Sequence, residues 1–371
     1  MKNNCLKTES ELLKERYYKF VSSFSDFLNL GDSYVNHVYG HDKFFGEYFG
    51  YWLSELHAIK DQEFVRELSF GSVLLRSYII IQDDIFDGDL EKSPNNILLA
   101  DYFLANSIEV FSSLAENKNL FWKKFNSYFE DYISANKKFS QRIMSPRQYT
   151  INDFEKYIEK ISLIKLPLFV IQEKSSLVPS IIDAYSLIKH LYIAFQFSDD
   201  LCDWKKDYIS GYFTYPITLI MDVLKNFKLG EKKRPKYLAL MRTIIGSSNL
   251  SNLFFELIKF HLKKSIGYIS NQKQAYLYKF LIGVLNSIHK EQKRINDIIK
   301  RNKSNSLFSI ESFRDHKIIK LNKKSTNKYV SIDTIRMDST DKMDNLFSSL
   351  SPPLLQKRGV DVLGGSKHEQ Y

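Results

Sequence analysis

Two short aspartate clusters, each set within a long apolar stretch, constrain this chain more than any other feature of its sequence. The clusters are Asp83–Asp87 and Asp199–Asp203, and both have the pattern D-D-x-x-D. Three carboxylates beside an apolar helix face are costly to bury unless cations neutralise them. The two clusters therefore predict a shared site for divalent metal ions, facing a ligand that is itself anionic.

Composition favours an all-α protein with a sizeable core. Apolar residues make up 44% of the 371 residues, whereas Gly and Pro number only 14 and 8, which leaves few turn formers. Helical periodicity covers most of residues 9–302. The predicted helices are Ser10–Leu28, Asp42–Ile59, Gln62–Phe86, Asn96–Ala115, Phe121–Ala135, Ile151–Val178, Ser180–Lys206, Pro216–Lys225, Tyr237–Ile245, Ser251–Ile266 and Gln272–Lys300.

Residues 1–302 form the predicted α domain, and residues 303–371 differ from it in composition. This C-terminal segment is rich in Ser, Lys, Asn and Asp, with Pro352-Pro353 and Gly364-Gly365 near its end. Such a composition is typical of a poorly ordered tail. The alternative interpretation is a lid over the site.

Several functional classes receive no support from the sequence. The polar segment Met1–Glu11 lacks an apolar signal core, and the apolar run Val73–Ile81 is interrupted by Arg76 and is too short to span a bilayer. Two distant cysteines indicate no disulfide framework, which fits a reducing cytoplasm. The net charge of +10 could suit nucleic acid, but no nucleic-acid motif is present. We therefore expect a cytoplasmic protein with no membrane span and no nucleic-acid partner.

Helical spacing places the carboxylates in rows. Asp83 and Asp87 lie one turn apart on one face, and Asp199, Asp203 and Asp207 form a stripe at i, i+4 and i+8. Carboxylate oxygens suit Mg²⁺, which completes its shell with water and phosphate oxygens. Two facing stripes predict a clamp for a diphosphate attached to an apolar group. The alternative is that these are ordinary solvated acids at helix ends.

The blocks around the two clusters resemble the class I isoprenoid synthases, and in particular the trans-prenyl diphosphate synthases. Residues 62–115 are similar to the family's first conserved block, and residues 156–175 to the helix that carries a diphosphate-binding Lys. Residues 194–216 are similar to the second block, F-Q-x-x-D-D-x-x-D followed by Gly211 and Thr214-Tyr215-Pro216. The resemblance implies a single-domain helical bundle with a central apolar cavity, three bound Mg²⁺ ions, an allylic prenyl diphosphate substrate and a homodimer.

The resemblance also implies roles for individual residues. The expected catalytic carboxylates are Asp83, Asp84, Asp87, Asp199, Asp200 and Asp203. The expected metal ligands are Asp83, Asp84, Asp87, Asp199, Asp203 and Asp207. The expected diphosphate-binding residues are Arg76, Lys165, Lys205, Lys206 and Gln196. The expected pocket residues are Tyr78, Ile79, Phe195 and Phe197.

Departures from the family pattern favour one reaction over the others. Chain-elongating synthases carry G-K-x-x-R-P before the first cluster and an Arg pair after it, whereas this chain has Gly40-His41-Asp42-Lys43 and Gly88–Pro94, without those arginines. The second cluster, extended to Lys206 and Asp207, also resembles the metal motif of terpene cyclases. We therefore predict a terpene synthase acting on a farnesyl- or geranylgeranyl-type diphosphate. The alternatives are a chain-elongating synthase using isopentenyl diphosphate, a prenyltransferase to another acceptor, and a noncatalytic subunit of a heteromeric synthase.

Overall fold

The fold comes from a computed structural model of the chain, and it consists of helices over nearly all of its described part. The structure describes residues 3–28, 48–87, 90, 93–143, 154, 156, 158–175, 181–225, 241, 250–301, 308–310 and 319–321. The predicted helix Tyr237–Ile245 lies outside these residues apart from Met241. Most of the segment 303–371 lies outside them as well.

Ten α-helices and one 3-10 helix form the described bundle, so the all-α prediction is confirmed. The α-helices are α1 (Asn3–Leu28), α2 (Phe49–Leu56), α3 (Gln62–Asp87), α4 (Pro94–Leu114), α5 (Lys118–Ile143), α6 (Lys165–Lys174), α7 (Ile181–Ser210), α8 (Tyr215–Lys225), α9 (Leu250–Tyr268) and α10 (Tyr276–Arg301). The 3-10 helix, Ile158–Ile164, directly precedes α6. Two short strands, β1 (Phe308–Ile310) and β2 (Ile319–Leu321), pair antiparallel, and no strand was predicted there.

A proline explains why the prediction of one continuous helix over Ile151–Val178 is wrong in its described part. Pro167 has no N–H, and in a continuous α-helix its ring would clash with the carbonyl of Leu163, four residues earlier. The chain instead forms the tighter 3-10 helix up to Ile164 and starts α6 at Lys165. Pro167 then lies in the first turn of α6, where a missing N–H costs little.

The second aspartate helix ends at a glycine that the geometry requires. Gly211 follows the last residue of α7 with φ +82, a left-handed conformation that favours Gly. Its N–H donates to the carbonyl of Tyr208 at 3.3 Å, and the N–H of Tyr212 donates to the carbonyl of Asp207 at 2.8 Å. This pair of bonds is a Schellman motif, and it ends α7 a few residues after the aspartate stripe.

Packing brings the two aspartate helices together through a third element. α3 packs along α4, and α7 packs along α9, while the 3-10 helix contacts α3, α5 and α7. The hydroxyl of Ser162 on the 3-10 helix donates to the carbonyl of Tyr128 on α5 at 2.8 Å. This buried bond joins the 3-10 helix to α5, and the same 3-10 helix also contacts α3 and α7, which carry the two clusters.

A pair of histidines joins α7 to α9. The Nδ1 atoms of His190 and His261 lie 2.9 Å apart, so one ring donates a hydrogen and the other accepts it. His261 is buried, and its ring also packs against Phe197. Burial, with a smaller contribution from the neighbouring His190, lowers the pKa of His261 to about 3. The pair therefore holds α7 and α9 together in the neutral form of His261.

One helix within the described ranges, α4, is long and apolar enough to cross a membrane by length and composition alone. Leu99, Phe103 and Phe111 on one of its faces are buried, and α4 packs against α3. α4 thus buries one face against the bundle, whereas Ile97, Leu98 and Tyr102 are exposed.

Candidate active site

The first aspartate cluster lies at the C-terminal end of α3. Asp83 and Asp84 are partly exposed, whereas the preceding Ile81 is fully buried. The side chain of Asp87 lies outside the described residues. α3 therefore changes from core to accessible surface at its first cluster, which leaves Asp83 open to a ligand.

The second cluster lies near the C-terminal end of α7 and divides into an outer and an inner part. Asp199 and Asp207 are half-buried and Asp203 is exposed, as expected for a stripe that faces outward from the core. Asp200 is buried, and it accepts a hydrogen bond of 2.7 Å from the side-chain amide of Gln196. Burial raises the pKa of Asp200 to about 7, with the charge of Asp199 acting in the same direction. Asp200 is thus held inside the protein by Gln196, while Asp199 and Asp203 are more accessible to solvent.

Lys160 on the 3-10 helix links the two clusters. Its Nζ lies 3.3 Å from Oδ2 of Asp83, and its positive charge works against the raised pKa of Asp200 on α7. The lysine is only 6% exposed. Asp83 and Asp200, which are 117 residues apart in sequence, therefore lie near one buried ammonium group.

Lys165, the diphosphate-binding lysine that the family resemblance implies, contacts a different set of acids. Its Nζ lies 3.1 Å from Glu159 and 3.2 Å from Asp131, and it also lies over the ring of Tyr185. The hydroxyl of Tyr185 donates to the same Glu159 at 2.8 Å. Within the described residues, Lys165 thus belongs to a network around Glu159, and its role towards a diphosphate stays a prediction.

The other predicted basic residues occupy two settings. Arg76 is buried in α3, close to Tyr17. Burial raises the pKa of the Tyr17 hydroxyl to about 12, and the charge of Arg76 acts in the opposite direction. Lys205 and Lys206 are exposed on α7, beside the outer aspartates. Lys205 and Lys206 can therefore reach an anion outside the bundle, and Arg76 lies deeper in α3.

The predicted pocket residues differ in burial. Phe197 is fully buried and stacks on Phe154, with ring centroids 4.1 Å apart. Ile79 and Phe195 are half-buried, and each lies four residues before the first aspartate of a cluster. Ile79 and Phe195 can thus meet a ligand without rearrangement, whereas Phe197 supports them from the core.

Tyr78, one of the predicted pocket residues, is buried beside Tyr132, a residue near Asp83 that was not predicted. The rings of Tyr78 on α3 and Tyr132 on α5 have centroids 5.9 Å apart, and both are buried. Burial raises the pKa of Tyr132 above its usual range. The charge of Asp83 also raises this pKa, whereas the charge of Lys160 lowers it. Tyr132 therefore belongs to the surroundings of the first cluster.

A comparison with solved structures shows which known fold this is. The crystal structure of a heptaprenyl diphosphate synthase from Staphylococcus aureus superposes with a TM-score of 0.56 over 76% of this chain and 98% of that chain, at 17% sequence identity. This chain has a prenyl-synthase fold. No protein-family model and no curated protein matches the sequence. The fold likeness therefore rests on architecture, and the roles of individual residues rest on the geometry of the site.

The aspartates of this prenyl-synthase fold are ligands of the type that Mg²⁺ prefers, but the described ones do not form a complete metal site by themselves. Asp83, Asp84, Asp199 and Asp203 offer hard oxygen ligands with access to solvent. Among the side chains that the structure describes, no group of three or more acidic, His or Cys residues is close enough to hold a metal ion. A Mg²⁺ ion commonly takes one or two carboxylates and completes its shell with water and phosphate. The donors fit an ion that arrives with a diphosphate.

No sequence motif marks Lys160 in this chain with a prenyl-synthase fold, although its surroundings in the sequence give a weak indication. Lys160 is the only basic residue of the segment Ile158–Ile164, in which four of the seven residues are aliphatic. A lysine in a buried run requires an acidic partner, but the identity of that partner depends on the packing of three separate elements. Tyr132 gave no signal beyond its position on an amphipathic helix.

Proposed function

We propose that the protein is a Mg²⁺-dependent class I terpene synthase, which ionises an allylic prenyl diphosphate of farnesyl or geranylgeranyl type and releases diphosphate. The observation that carries this proposal is the convergence of two aspartate helices on Lys160, which lies 3.3 Å from Asp83 and acts on the charge of Asp200. Such an arrangement of acids and one cation suits a ligand of metal ions and phosphate groups. The proposed reaction takes place in the cytoplasm, and the family resemblance suggests a homodimer.

The chain's own residues divide the work between charge and shape. Asp83, Asp84, Asp87, Asp199, Asp203 and Asp207 would hold up to three Mg²⁺ ions, and the bound ions would act as Lewis acids on the leaving diphosphate. Lys160, Lys205 and Lys206 would balance its remaining charge. Gln196 would keep Asp200 in its buried position, as its 2.7 Å bond indicates.

The apolar neighbours of the clusters would receive the prenyl chain. Ile79 and Phe195 are half-buried beside the clusters, and the buried pair Tyr78 and Tyr132 lies behind Asp83. Aromatic faces stabilise a cation, and exclusion of water prevents its early capture. These contacts support a reaction through a carbocation.

Cyclisation is preferred to elongation because the residues for a second diphosphate are missing. The segment Gly88–Pro94 contains Lys92 but no arginine, and Gly40–Phe45 lacks the Arg-Pro pair that precedes the first cluster in elongating synthases. A synthase that holds one diphosphate can ionise it, but has no built position for isopentenyl diphosphate. This difference supports a terpene product.

A chain-elongating prenyl diphosphate synthase is the second candidate. The observation in its favour is the fold likeness to a heptaprenyl diphosphate synthase. Prenyl transfer to another acceptor and a noncatalytic role in a heteromeric synthase are further alternatives, which the same assay separates.

The assay uses purified protein with Mg²⁺ and geranyl, farnesyl or geranylgeranyl diphosphate, each with and without isopentenyl diphosphate. We expect a volatile terpene and free diphosphate without isopentenyl diphosphate. A longer prenyl diphosphate formed only with isopentenyl diphosphate would replace the proposal with elongation. Absence of turnover under all conditions would favour another acceptor or a noncatalytic subunit. An EDTA-treated sample controls for metal dependence.

A further inference from the structure

Lys160 has a setting that ordinary surface lysines do not share. Its side chain is 8% exposed, and its Nζ lies 3.3 Å from the carboxylate of Asp83. Its charge also acts on Asp200 and on the hydroxyl of Tyr132. One ammonium group thus influences residues from α3, α5 and α7.

The burial of Lys160 requires compensation by nearby negative charge. Moving an ammonium group out of water costs several kcal/mol unless it is paired. Asp83 supplies the direct contact at 3.3 Å, and the charge of Lys160 also acts to lower the pKa of the buried Asp200. Asp199 and Asp203 add further negative charge near Asp200. The ammonium group therefore stands among carboxylates of both clusters, in the region where a divalent ion would be attracted.

The 3-10 helix holds Lys160 in this position. Ile158, Ile161 and Leu163 on the same helix are buried, and Ser162 is bonded to the backbone of α5. Pro167 prevents the helix from relaxing into a regular continuation of α6. The backbone of Lys160 is thereby anchored, with its ammonium group beside Asp83.

We propose that Lys160 is a positioning residue whose positive charge neutralises Asp83 in the metal-free site. The same charge opposes the binding of a divalent ion beside Asp83 and favours the binding of the diphosphate. This inference rests on the proposed function, because it requires that the site accept a divalent ion and a diphosphate. It assigns to Lys160 a role that the family resemblance gave to Lys165.

Lys189 provides a matched control for the loss of one lysine charge. Its Nζ lies 3.3 Å from Glu159, the same distance that separates Lys160 from Asp83. Glu159 also accepts hydrogen bonds from Lys165 and Tyr185. The variant Lys189→Met thus removes a comparable ion pair on the 3-10 helix without changing the charge beside Asp83.

The experiment measures, by isothermal titration calorimetry, the binding of Mn²⁺ alone and of inorganic pyrophosphate with Mg²⁺. The proteins are the wild type, Lys160→Met, Lys160→Arg and Lys189→Met. Loss of a competing positive charge should tighten Mn²⁺ binding by Lys160→Met about tenfold, and loss of an attractive charge should weaken pyrophosphate binding by about the same factor. Lys160→Arg and Lys189→Met should keep affinities near those of the wild type.

The opposite signs of the two changes separate this role from a structural one. If Lys160→Met weakens both ligands, or changes neither, the proposal is overturned. Lys160→Gln replaces Lys160→Met if the latter lacks the helical circular dichroism of the wild type. A wild type that binds neither ligand would overturn the proposed function together with this inference, whereas a wild type that binds both leaves the proposed function standing whatever Lys160→Met does.

Discussion

The two aspartate helices carry the same D-D-x-x-D pattern but use it differently. In α3, Asp83 is partly exposed and meets Lys160 at 3.3 Å. In α7, Asp199 faces outward, whereas the next residue, Asp200, is buried against Gln196 with a pKa of about 7. The same motif thus gives two different clusters. In the first, Lys160 balances the charge of Asp83, and in the second, the buried Asp200 is bonded to Gln196. Neighbouring elements, rather than the motif itself, decide which carboxylate meets a ligand.

Removal of the first outward carboxylate in each cluster should have the largest effect. We expect Asp83→Ala and Asp199→Ala each to lower diphosphate release by about a thousandfold, because each removes a charge that stabilises the leaving diphosphate through metal. Diphosphate release from farnesyl diphosphate is the measurement, with the helical circular dichroism as the test of folding. Asp101, exposed on α4, gives the control variant Asp101→Ala, and full activity of Asp83→Ala would contradict the metal assignment.

Truncation of the residue two places before each cluster tests the core beneath it. Phe197 and Ile81 are both fully buried, so Phe197→Ala should lower the free energy of unfolding by about 4 kcal/mol and Ile81→Val by about 1 kcal/mol. Chemical denaturation measures both. A cost below about 1 kcal/mol for Phe197→Ala would mean that Phe197 lines an open cavity instead of the packed core.

The buried carboxylate of α7 should be replaceable with a gain in stability. At about pH 8, Asp200→Asn should raise the free energy of unfolding by about 2 kcal/mol in EDTA, because it removes the cost of a buried charge and keeps an acceptor for Gln196. The corresponding change in α3, Asp84→Asn, should alter stability little, since Asp84 is partly exposed. Equal effects of the two substitutions would remove the distinction between the clusters.

The histidine pair makes α7 sensitive to acid. Burial lowers the pKa of His261 from 6.5 to about 3, so the unfolded chain binds a proton more readily, and stability is lost as pH falls through this interval. Burial of His190 opposes its protonation as well, and so do the nearby charges of Lys264 and Lys189. We expect His261→Gln to lose about 1 kcal/mol less stability than the wild type between pH 7 and pH 5. Chemical denaturation at the two pH values measures this difference. An equal loss in the free energy of unfolding for both proteins would contradict the prediction.

The aspartate helices themselves could be predicted because their signals are local. The expected Gln62–Phe86 agrees with the observed Gln62–Asp87 within one residue, since apolar periodicity and the loop after it define both ends. The second helix, expected over Ser180–Lys206, continues to Ser210, because Gly211 ends it. Local pattern was therefore sufficient to place both clusters on helices.

Lys160 could not be predicted in the same way, because its role depends on contacts between distant segments. Pro167 was visible in the sequence, but its effect, a 3-10 helix that turns Lys160 towards Asp83, requires the packing of α3, α5 and α7 around it. The family resemblance implies Lys165 as the diphosphate-binding lysine; its Nζ lies beside Glu159 and Asp131, and its role towards a diphosphate stays a prediction. The sequence thus located both aspartate clusters on helices, whereas the ion pair of Lys160 with Asp83 emerges only from the packing.

The alternation of charge on the 3-10 helix makes this segment intolerant of a change in length. Glu159 points to Lys165 and Lys189, while the next residue, Lys160, points to Asp83. Each residue of a 3-10 helix turns the chain by about 120°, so deleting one residue between Lys160 and Pro167 would bring Glu159 to the position of Lys160, towards Asp83, and would carry the lysine away from it. Homologues that keep this site should therefore vary in loop length elsewhere and preserve the number of residues between Glu159 and Pro167.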